Sequence, residues 1–399
     1  MYKIYCRIHQ SMFKCAAVFL PWRRPELLED MSALAVQLRL EGVDRVLIVS
    51  DEKLISLGLH NKLIEMLDFA GIHYYIYDKT DANPTIQNIE EALCLYYKEN
   101  CGGIIAFGGG SPIDCAKGVG ARVARPKKNI SEMKGLLKIH KRIPLLAAIP
   151  TTAGTGSETT LAAVITDSDT HEKYAVNDPA LVPRYAVLDP SLTINLPPHI
   201  TAATGMDALT HAVEAYIGLS NTAQTKKDAQ AAVKLIFNNL YPAYCVGENI
   251  DARKNMQNAA YLAGAAFTHA YVGNVHAVAH TLGGQYGTPH GLANAVILPY
   301  VLNMYGSRIY KHLAELAVAA GISDSARTEK ENAEKFITAI RALNAKMNIP
   351  EKIADLKWED IPMLAYRARK EANPFYPVPK IFNQIEMEAV YLSIIGEKL

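Results

Sequence analysis

The sequence predicts two parts, an α/β half over residues 1–196 and an all-helical half over residues 197–399. Three observations carry that reading. Short apolar runs closed by Gly, Asp or Thr alternate with helix-length segments in the first half. DPSLTINLPP (189–198), with three prolines, ends the alternation. From ITAATGMD onward nearly every segment has the pattern of a helix.

In chain order, VDRVLIVSD (43–51), IHYYIYD (72–78), GGIIAFGGG (102–110) and PLLAAIPTT (144–152) are the expected strands. Their continuous apolar character suits parallel strands covered on both faces, with crossover helices such as NIEEALCLYYKE between them. In the second half, NMQNAAYLAGAAF (255–267) and ARTEKENAEKFITAIRALNAKM (326–347) are the clearest helices. No internal repeat is present, and RPKK (125–128) is a solvated loop.

Composition narrows the function. Forty-one Lys and Arg against 40 Asp and Glu leave a net charge of +1, so no global field favours nucleic acid or an anionic membrane. A small molecule is the expected partner. The six cysteines show no CxxC or ladder spacing, which argues for a reducing, cytoplasmic setting rather than a disulfide framework or a cysteine-based zinc site. The early apolar run CAAVFL (15–20) is too short for a signal sequence, and no stretch reaches the length of a membrane span.

FGGGSPIDCAKGVG (107–120) follows a predicted strand and opens a helix. Ser111 suits the N-cap, Pro112 the first helical position and Asp114 the third, while Gly108, Gly109 and Gly110 permit a close backbone approach. Such a helix start presents N–H groups to an anion, as α/β proteins do for a pyrophosphate. A capped turn without a ligand explains the same residues equally well, since neither GxGxxG nor the Walker pattern is present. PTTAGTGSETT (150–160) supplies a second polar loop at a strand's carboxyl end, where Thr151, Thr152, Thr155 and Thr160 offer hydroxyls to phosphate or ribose.

Four of the 12 histidines fall between residues 269 and 290. His276 and His280 share a helix face one turn apart, and GGQYGTP returns His290 towards them. GMDALTHAVEAY (205–216) adds Asp207 and His211 at the same i, i+4 spacing on an otherwise apolar helix. A lone Asp–His pair is most simply a satisfied core contact. Several imidazoles and a carboxylate from three segments instead suit a divalent transition metal. HAVAH lacks the Glu of HExxH, which disfavours a metalloprotease.

Together GGGSPIDCAK, IPTTAGTGSE, GMDALTHAVEAY, HAVAHTLG and TPHGLANA resemble the iron-containing, group III alcohol dehydrogenase family over most of the chain, with motifs in the family's order. The resemblance implies an N-terminal dinucleotide-binding α/β domain, a helical metal-binding domain and a substrate cleft between them, the fold shared with dehydroquinate synthase. It implies Asp207, His211, His276 and His290 as metal ligands and His280 as a histidine near the nicotinamide, here assigned a proton relay. For NAD(H) it points to Asp51, Asn83, Gly109, Gly110, Ser111, Asp114, Thr151, Thr152, Thr155, Thr160 and Lys173. The metal is expected to be Fe²⁺, with Zn²⁺ as the alternative, and the assembly a homodimer. No family role transfers to Glu214. His269 and Asn274 lie where the family varies, and PWRRPELLE departs from the commoner glycine-containing opening. The expected activity is interconversion of a small alcohol, diol or hydroxyaldehyde with its carbonyl compound. A lyase of the dehydroquinate synthase type would need basic groups for a phosphorylated substrate, and residues 268–290 contain no Lys or Arg. The intact ligand set argues against a catalytically silent scaffold.

Overall fold

In the computed structural model, which describes residues 1–17, 20–168 and 172–396, the chain folds as two units: Pro21–Thr193, and Met1–Leu20 with Ile194–Leu399. Val18 and Phe19 of the early CAAVFL run lie outside the described residues. The chain opens with helix α1 (Tyr2–Ala17), which belongs to the second unit. Cys6 of α1 is buried against Val378 and Ile381, and Arg7 Nη1 donates to the Val378 carbonyl at 2.7 Å. These contacts place α1 with the helices, whereas the sequence pattern counts residues 1–196 as one α/β half.

The α/β unit contains β1 (Glu26–Leu28), α2 (Met31–Leu40), β2 (Arg45–Val49), α3 (Glu52–Ser56), α4 (Asn61–Phe69), β3 (His73–Tyr77), α5 (Ile86–Lys98), β4 (Gly103–Gly108) and α6 (Gly110–Ala124). After them come β5 (Gly135–Leu136), β6 (Leu145–Pro150), β7 (Ala162–Asp167), β8 (Glu172–Asn177) and β9 (Tyr185–Val187). Six strands form one parallel sheet in the order β1-β9-β6-β4-β2-β3. The four strands expected from the sequence, β2, β3, β4 and β6, are its neighbouring members. Alternate residues enter two cores: Leu47, Val49, Ile104 and Ala106 on one face, Val46, Ile48, Ile105 and Phe107 on the other. Both faces being covered explains the unbroken apolar runs.

The chain order reverses direction at β2, which has β3 on one side and β4 on the other. Open parallel sheets bind ligands at such a switch point, beyond the carboxyl ends of the strands. Asp51 follows β2 there, and the glycine-rich turn follows β4. Sequence reasoning missed β1 and β9, three residues each, and the small sheet β5-β8-β7, in which β7 and β8 are antiparallel.

One local expectation is corrected. Gly109, not Ser111, is the N-cap of α6, because Gly108 at φ +154° and an extended Gly109 turn the chain into the helix by Gly110. A Cβ on Gly108 would lie 2.5 Å from Pro112 Cγ, so only glycine makes this turn. Ser111 Oγ instead donates to the Ala82 carbonyl at 2.6 Å.

The helical unit continues with α7 (Pro198–Ile217), α8 (Ala223–Cys245), α9 (Ile250–Ala270), α10 (Asn274–Tyr286), α11 (His290–Tyr305), α12 (Tyr310–Ala319), α13 (Glu329–Lys346), α14 (Ile361–Ala372) and α15 (Gln384–Ile394). Helix α7 is buried nearly all round because it packs on α8, α9 and α11. Such close packing needs glycines at the crossings. A Cβ on Gly291, beside His290, would lie 2.3 Å from the Ala203 carbonyl oxygen of α7, whose backbone cannot give way. No helix among the described residues is long and apolar enough to cross a membrane.

Gly291→Ala is therefore expected to lower stability by about 1–3 kcal/mol through overpacking. Gly284→Ala, inside α10 with nothing within 4 Å of its Cβ, should raise it by about 0.5–1 kcal/mol. Urea denaturation midpoints of the two variants check the opposite signs.

Candidate metal centre and nucleotide loops

Helices α7, α10 and α11 each bring polar groups into an apolar interior. Asp207 and His211 come from successive turns of α7, His276 from the first turn of α10, and His290 from the first residue of α11. One ligand atom from each of the four lies within 4.8 Å of the other three, and Asp207, His211 and His276 are buried. Asp207 Oδ1 is 3.5 Å from His290 Nε2, 3.8 Å from His276 Nε2 and 3.9 Å from His211 Nδ1. Those gaps are at or beyond the reach of a hydrogen bond. They approach the ~3.3–3.6 Å that separates tetrahedral ligands each ~2.0–2.2 Å from one cation. The donor set fits a divalent transition metal: three imidazoles and one carboxylate.

His276 is prepared for lone-pair donation. Burial first, then the neighbouring His211, His290 and His280 rings, holds His276 well below the usual histidine range, so it is neutral. The His211 ring lies between Phe267 and His276, with centroids 4.1 Å and 4.4 Å away. Asn294, one turn beyond His290 on α11 and fully buried, donates through Nδ2 to Asp207 Oδ1 at 2.7 Å. That bond orients the carboxylate.

Glu214, which carried no sequence-derived role, is the group that organises α10. Its carboxylate accepts from the backbone N–H groups of Gly273 and Val275, both at 2.8 Å, and from His276 Nδ1 at 2.7 Å. While the carboxylate is ionised it can only accept, so the proton of the neutral His276 then sits on Nδ1 and Nε2 keeps its lone pair, 3.8 Å from Asp207 Oδ1. Burial lifts the Glu214 carboxyl to about 7, against the hydrogen bonds that favour its charged form. A Cβ on Gly273 would lie 2.6 Å from Glu214 Oε1, so the glycine is required by the carboxylate.

In the α/β unit the glycine-rich turn with Gly109 and Gly110 faces the loop that carries Thr151, Thr152, Thr155 and Thr160, while Asp51, Asn83 and Lys173 lie outside these two segments. The Cβ positions of Gly109 and Gly110 point at Thr152 and Thr155, 3.4 Å and 3.0 Å away, so a side chain would fill the space between the loops. Asp51 caps α3, accepting from Leu54 N–H at 3.0 Å. Lys173 Nζ donates to Asn83 Oδ1 at 2.8 Å on the exposed rim. Three other expected residues are buried, Thr151 and Thr160 in the second loop and Asp114 on α6. Thr151 N–H bonds the Gly108 carbonyl at 3.1 Å, Asp114 Oδ2 accepts from Val164 N–H at 3.1 Å, and Thr160 Oγ1 accepts from Lys117 Nζ at 2.7 Å.

Lys117 was missed by sequence reasoning. Fully buried, its ammonium also reaches the carbonyls of Ser157, Thr160 and Ala162 at 2.7–2.8 Å and pins the second loop to α6. Burial pushes Lys117 down to about 8, and pushes nearby Asp114 and Glu158 up to about 6 and about 7.

Glu214→Ala should leave two backbone N–H groups and an imidazole N–H unpaired and weaken metal binding by about 10–100-fold, with Glu214→Gln between it and the wild type. Dialysis against graded chelator, followed by metal analysis, checks the order. Equal retention by all three proteins would remove Glu214 from the metal site.

Comparison with known proteins now bears on this arrangement. Residues 26–190 match the family described as iron-containing alcohol dehydrogenase, and residues 201–395 match the Fe-containing alcohol dehydrogenase family, C-terminal. The chain is 38% identical to 1,3-propanediol dehydrogenase of Klebsiella pneumoniae over 365 residues, covering 90% of this chain and 94% of the relative. It is 38% identical to NAD-dependent methanol dehydrogenase of Bacillus methanolicus over 340 residues, covering 84% and 88%. A crystal structure of 1,3-propanediol oxidoreductase superposes with a TM-score of 0.91 at 35% identity, covering 94% of this chain and 100% of that one. With family models matching both units, and Asp207, His211, His276 and His290 converging in the helical one, the chain belongs to the iron-containing alcohol dehydrogenases, oxidoreductases that interconvert alcohols with aldehydes or ketones.

Proposed function

We propose that the protein uses NAD(H) and a divalent cation, Fe²⁺ in the first instance, to interconvert a small alcohol, diol or hydroxyaldehyde with its carbonyl compound. The observation that carries this reading is the convergence of Asp207, His211, His276 and His290. When bound, the cation acts as a Lewis acid on the substrate oxygen and the nicotinamide exchanges a hydride with the carbinol carbon. The net oxidation is alcohol plus NAD⁺ to carbonyl compound, NADH and one proton.

The chain's own residues do the remaining work. Asp207, His211, His276 and His290 would hold the cation, Glu214 fixes the His276 tautomer, and Asn294 orients Asp207. The N–H groups at the start of α6, with Gly109, Gly110 and Ser111, receive the pyrophosphate, and Thr152 and Thr155 flank it. Asp114, Thr151 and Thr160 shape those loops from within. Asn83 and Lys173 serve the nucleotide from the rim. His280 accepts the hydroxyl proton as the carbonyl forms. The NAD-dependent methanol dehydrogenase relative supports the choice of cofactor. Relatives named for methanol and 1,3-propanediol support a small substrate without choosing among alcohols.

Asp51 supports NAD over NADP. Its carboxylate at the switch point can accept from the ribose 2′- and 3′-hydroxyls but would face the 2′-phosphate of NADP. Two unit charges 4 Å apart repel by roughly 4 kcal/mol at an effective dielectric of 20, less at an exposed edge. Capping α3 and binding ribose are compatible, since a carboxylate accepts several hydrogen bonds.

Two predictions test this reading. Chelator-treated protein should regain NADH oxidation with at least one member of a panel of short aldehydes, hydroxyaldehydes and diones when Fe²⁺ or Zn²⁺ is restored, and His276→Ala and His290→Ala should lose metal and activity together. No turnover across the panel, or full metal content in both variants, would overturn the proposal. Separately, the wild type should strongly prefer NADH, and Asp51→Gly should gain NADPH activity mainly through a lower KM, glycine being a tolerable cap that costs only a few tenths of a kcal/mol. Equal use of both nucleotides by the wild type would contradict the role given to Asp51.

A further inference from the structure

The pairing of His276 with a carboxylate has a counterpart one turn along α10. His280 Nδ1 lies 2.6 Å from Glu371 Oε1, at the end of α14, and the same oxygen accepts from Tyr376 Oη at 2.8 Å. The His280 ring stacks against the His290 ring, with centroids 5.2 Å apart and planes at 17°, and meets the His276 ring edge-on at 6.0 Å and 69°. The two pairs differ in their access to water. The His276 and Glu214 side chains are 2% and 1% exposed, whereas those of His280 and Glu371 are 30% and 32% exposed. A sealed pair suits a fixed ligand; an open one suits exchange with solvent.

Tyr376 is itself anchored. Its N–H donates to the Ala372 carbonyl at 2.8 Å and its carbonyl accepts from Gln10 Nε2 of α1 at 2.7 Å. Arg7 of α1 holds the next turn of chain through the Val378 and Pro379 carbonyls at 2.7 Å and 3.0 Å. Leu219 N–H binds the Pro377 carbonyl at 2.7 Å. The phenol is thus presented to Glu371 by a segment tied down from two sides.

We propose that Glu371, braced by Tyr376, is a positioning residue that fixes the tautomer and ring plane of His280, so that Nε2 accepts the substrate's hydroxyl proton. This rests on the reading of His280 as proton acceptor. An ionised carboxylate accepts only, so Nδ1 carries its proton throughout and Nε2 keeps a lone pair. In the oxidative direction the O–H bond breaks with its proton passing to Nε2. The carbinol C–H pair of electrons leaves as hydride to the nicotinamide, and the imidazolium then returns its proton from Nε2 to water. Glu371 accepts from Nδ1 and transfers nothing.

The test compares kcat, KM, the solvent deuterium isotope effect and metal content for Glu371→Leu, Glu371→Gln, Tyr376→Phe and His280→Ala. Leucine keeps bulk but offers no acceptor, whereas the glutamine carbonyl can still receive Nδ1–H. Since a general acid–base contributes ~10²–10⁴-fold, Glu371→Leu should lower kcat by about 10²-fold, with KM and metal content retained and a larger isotope effect. Glu371→Gln should recover most of the rate, and Tyr376→Phe should lose only about 2–5-fold, because it removes the brace and leaves the carboxylate. Should the leucine variant fail to fold, the glutamine and phenylalanine variants carry the comparison: both within wild-type error for rate and isotope effect would overturn the proposal. Wild-type turnover in every Glu371 and Tyr376 variant, with His280→Ala slow, overturns the positioning role alone. Wild-type turnover in His280→Ala overturns the relay itself.

Discussion

A carboxylate taken out of water must be met by donors at nearly every lone pair, and in the helical unit Glu214 meets that demand with two backbone N–H groups and one imidazole. Much of the metal site's geometry depends on this one group. The N–H groups of Gly273 and Val275 are those left unpaired where α10 begins, so Glu214 settles where the helix starts and how it is turned. His276 follows within the first turn, and its Nδ1 is committed to Glu214 while Nε2 stands 3.8 Å from Asp207 Oδ1. Asp207 and Glu214 lie two turns apart on one face of α7, so a single helix supplies both a ligand and the group that aims another ligand.

The α/β unit solves a comparable problem with the opposite charge. Lys117 is buried on α6 with its ammonium against three carbonyls and a hydroxyl of the loop around residues 157–162. A buried ammonium is tolerable only when so surrounded, and the same bonds hold that loop rigid opposite the glycine-rich turn. Thr152 and Thr155 can then face Gly109 and Gly110 across a gap that no glycine side chain fills. In both units a buried charged side chain fixes the backbone, and the backbone presents the groups proposed to meet a ligand.

The four central strands and the helical second half were legible because each has a local signature, unbroken apolar runs in one and helical periodicity in the other; the i, i+4 pairs Asp207/His211 and His276/His280 marked the metal-rich segments, and the four-residue set came from the family resemblance. Three-residue strands such as β1 and β9 carry too few positions to show a period. The start of α6 was misplaced because Ser111 looks like a cap, and only the φ of Gly108 shows that the helix has begun by then. Asn294 was within reach, one turn from His290 on the same helix face. Glu371 was not, because RKEANPF has the composition of a surface turn and its partner His280 lies 91 residues away in sequence. The placement of α1 depends on contacts with residues 376–381, which no local pattern encodes.

The central claim, that Asp207, His211, His276 and His290 enclose a single divalent cation, is tested most directly by anomalous diffraction from crystals of the protein loaded with Fe²⁺ or Zn²⁺, recorded on both sides of the metal's absorption edge. The account predicts one edge-dependent peak per chain, about 2.0–2.2 Å from one atom of each of the four side chains. A peak elsewhere in the chain, or bonding to fewer than three of these residues, would contradict it.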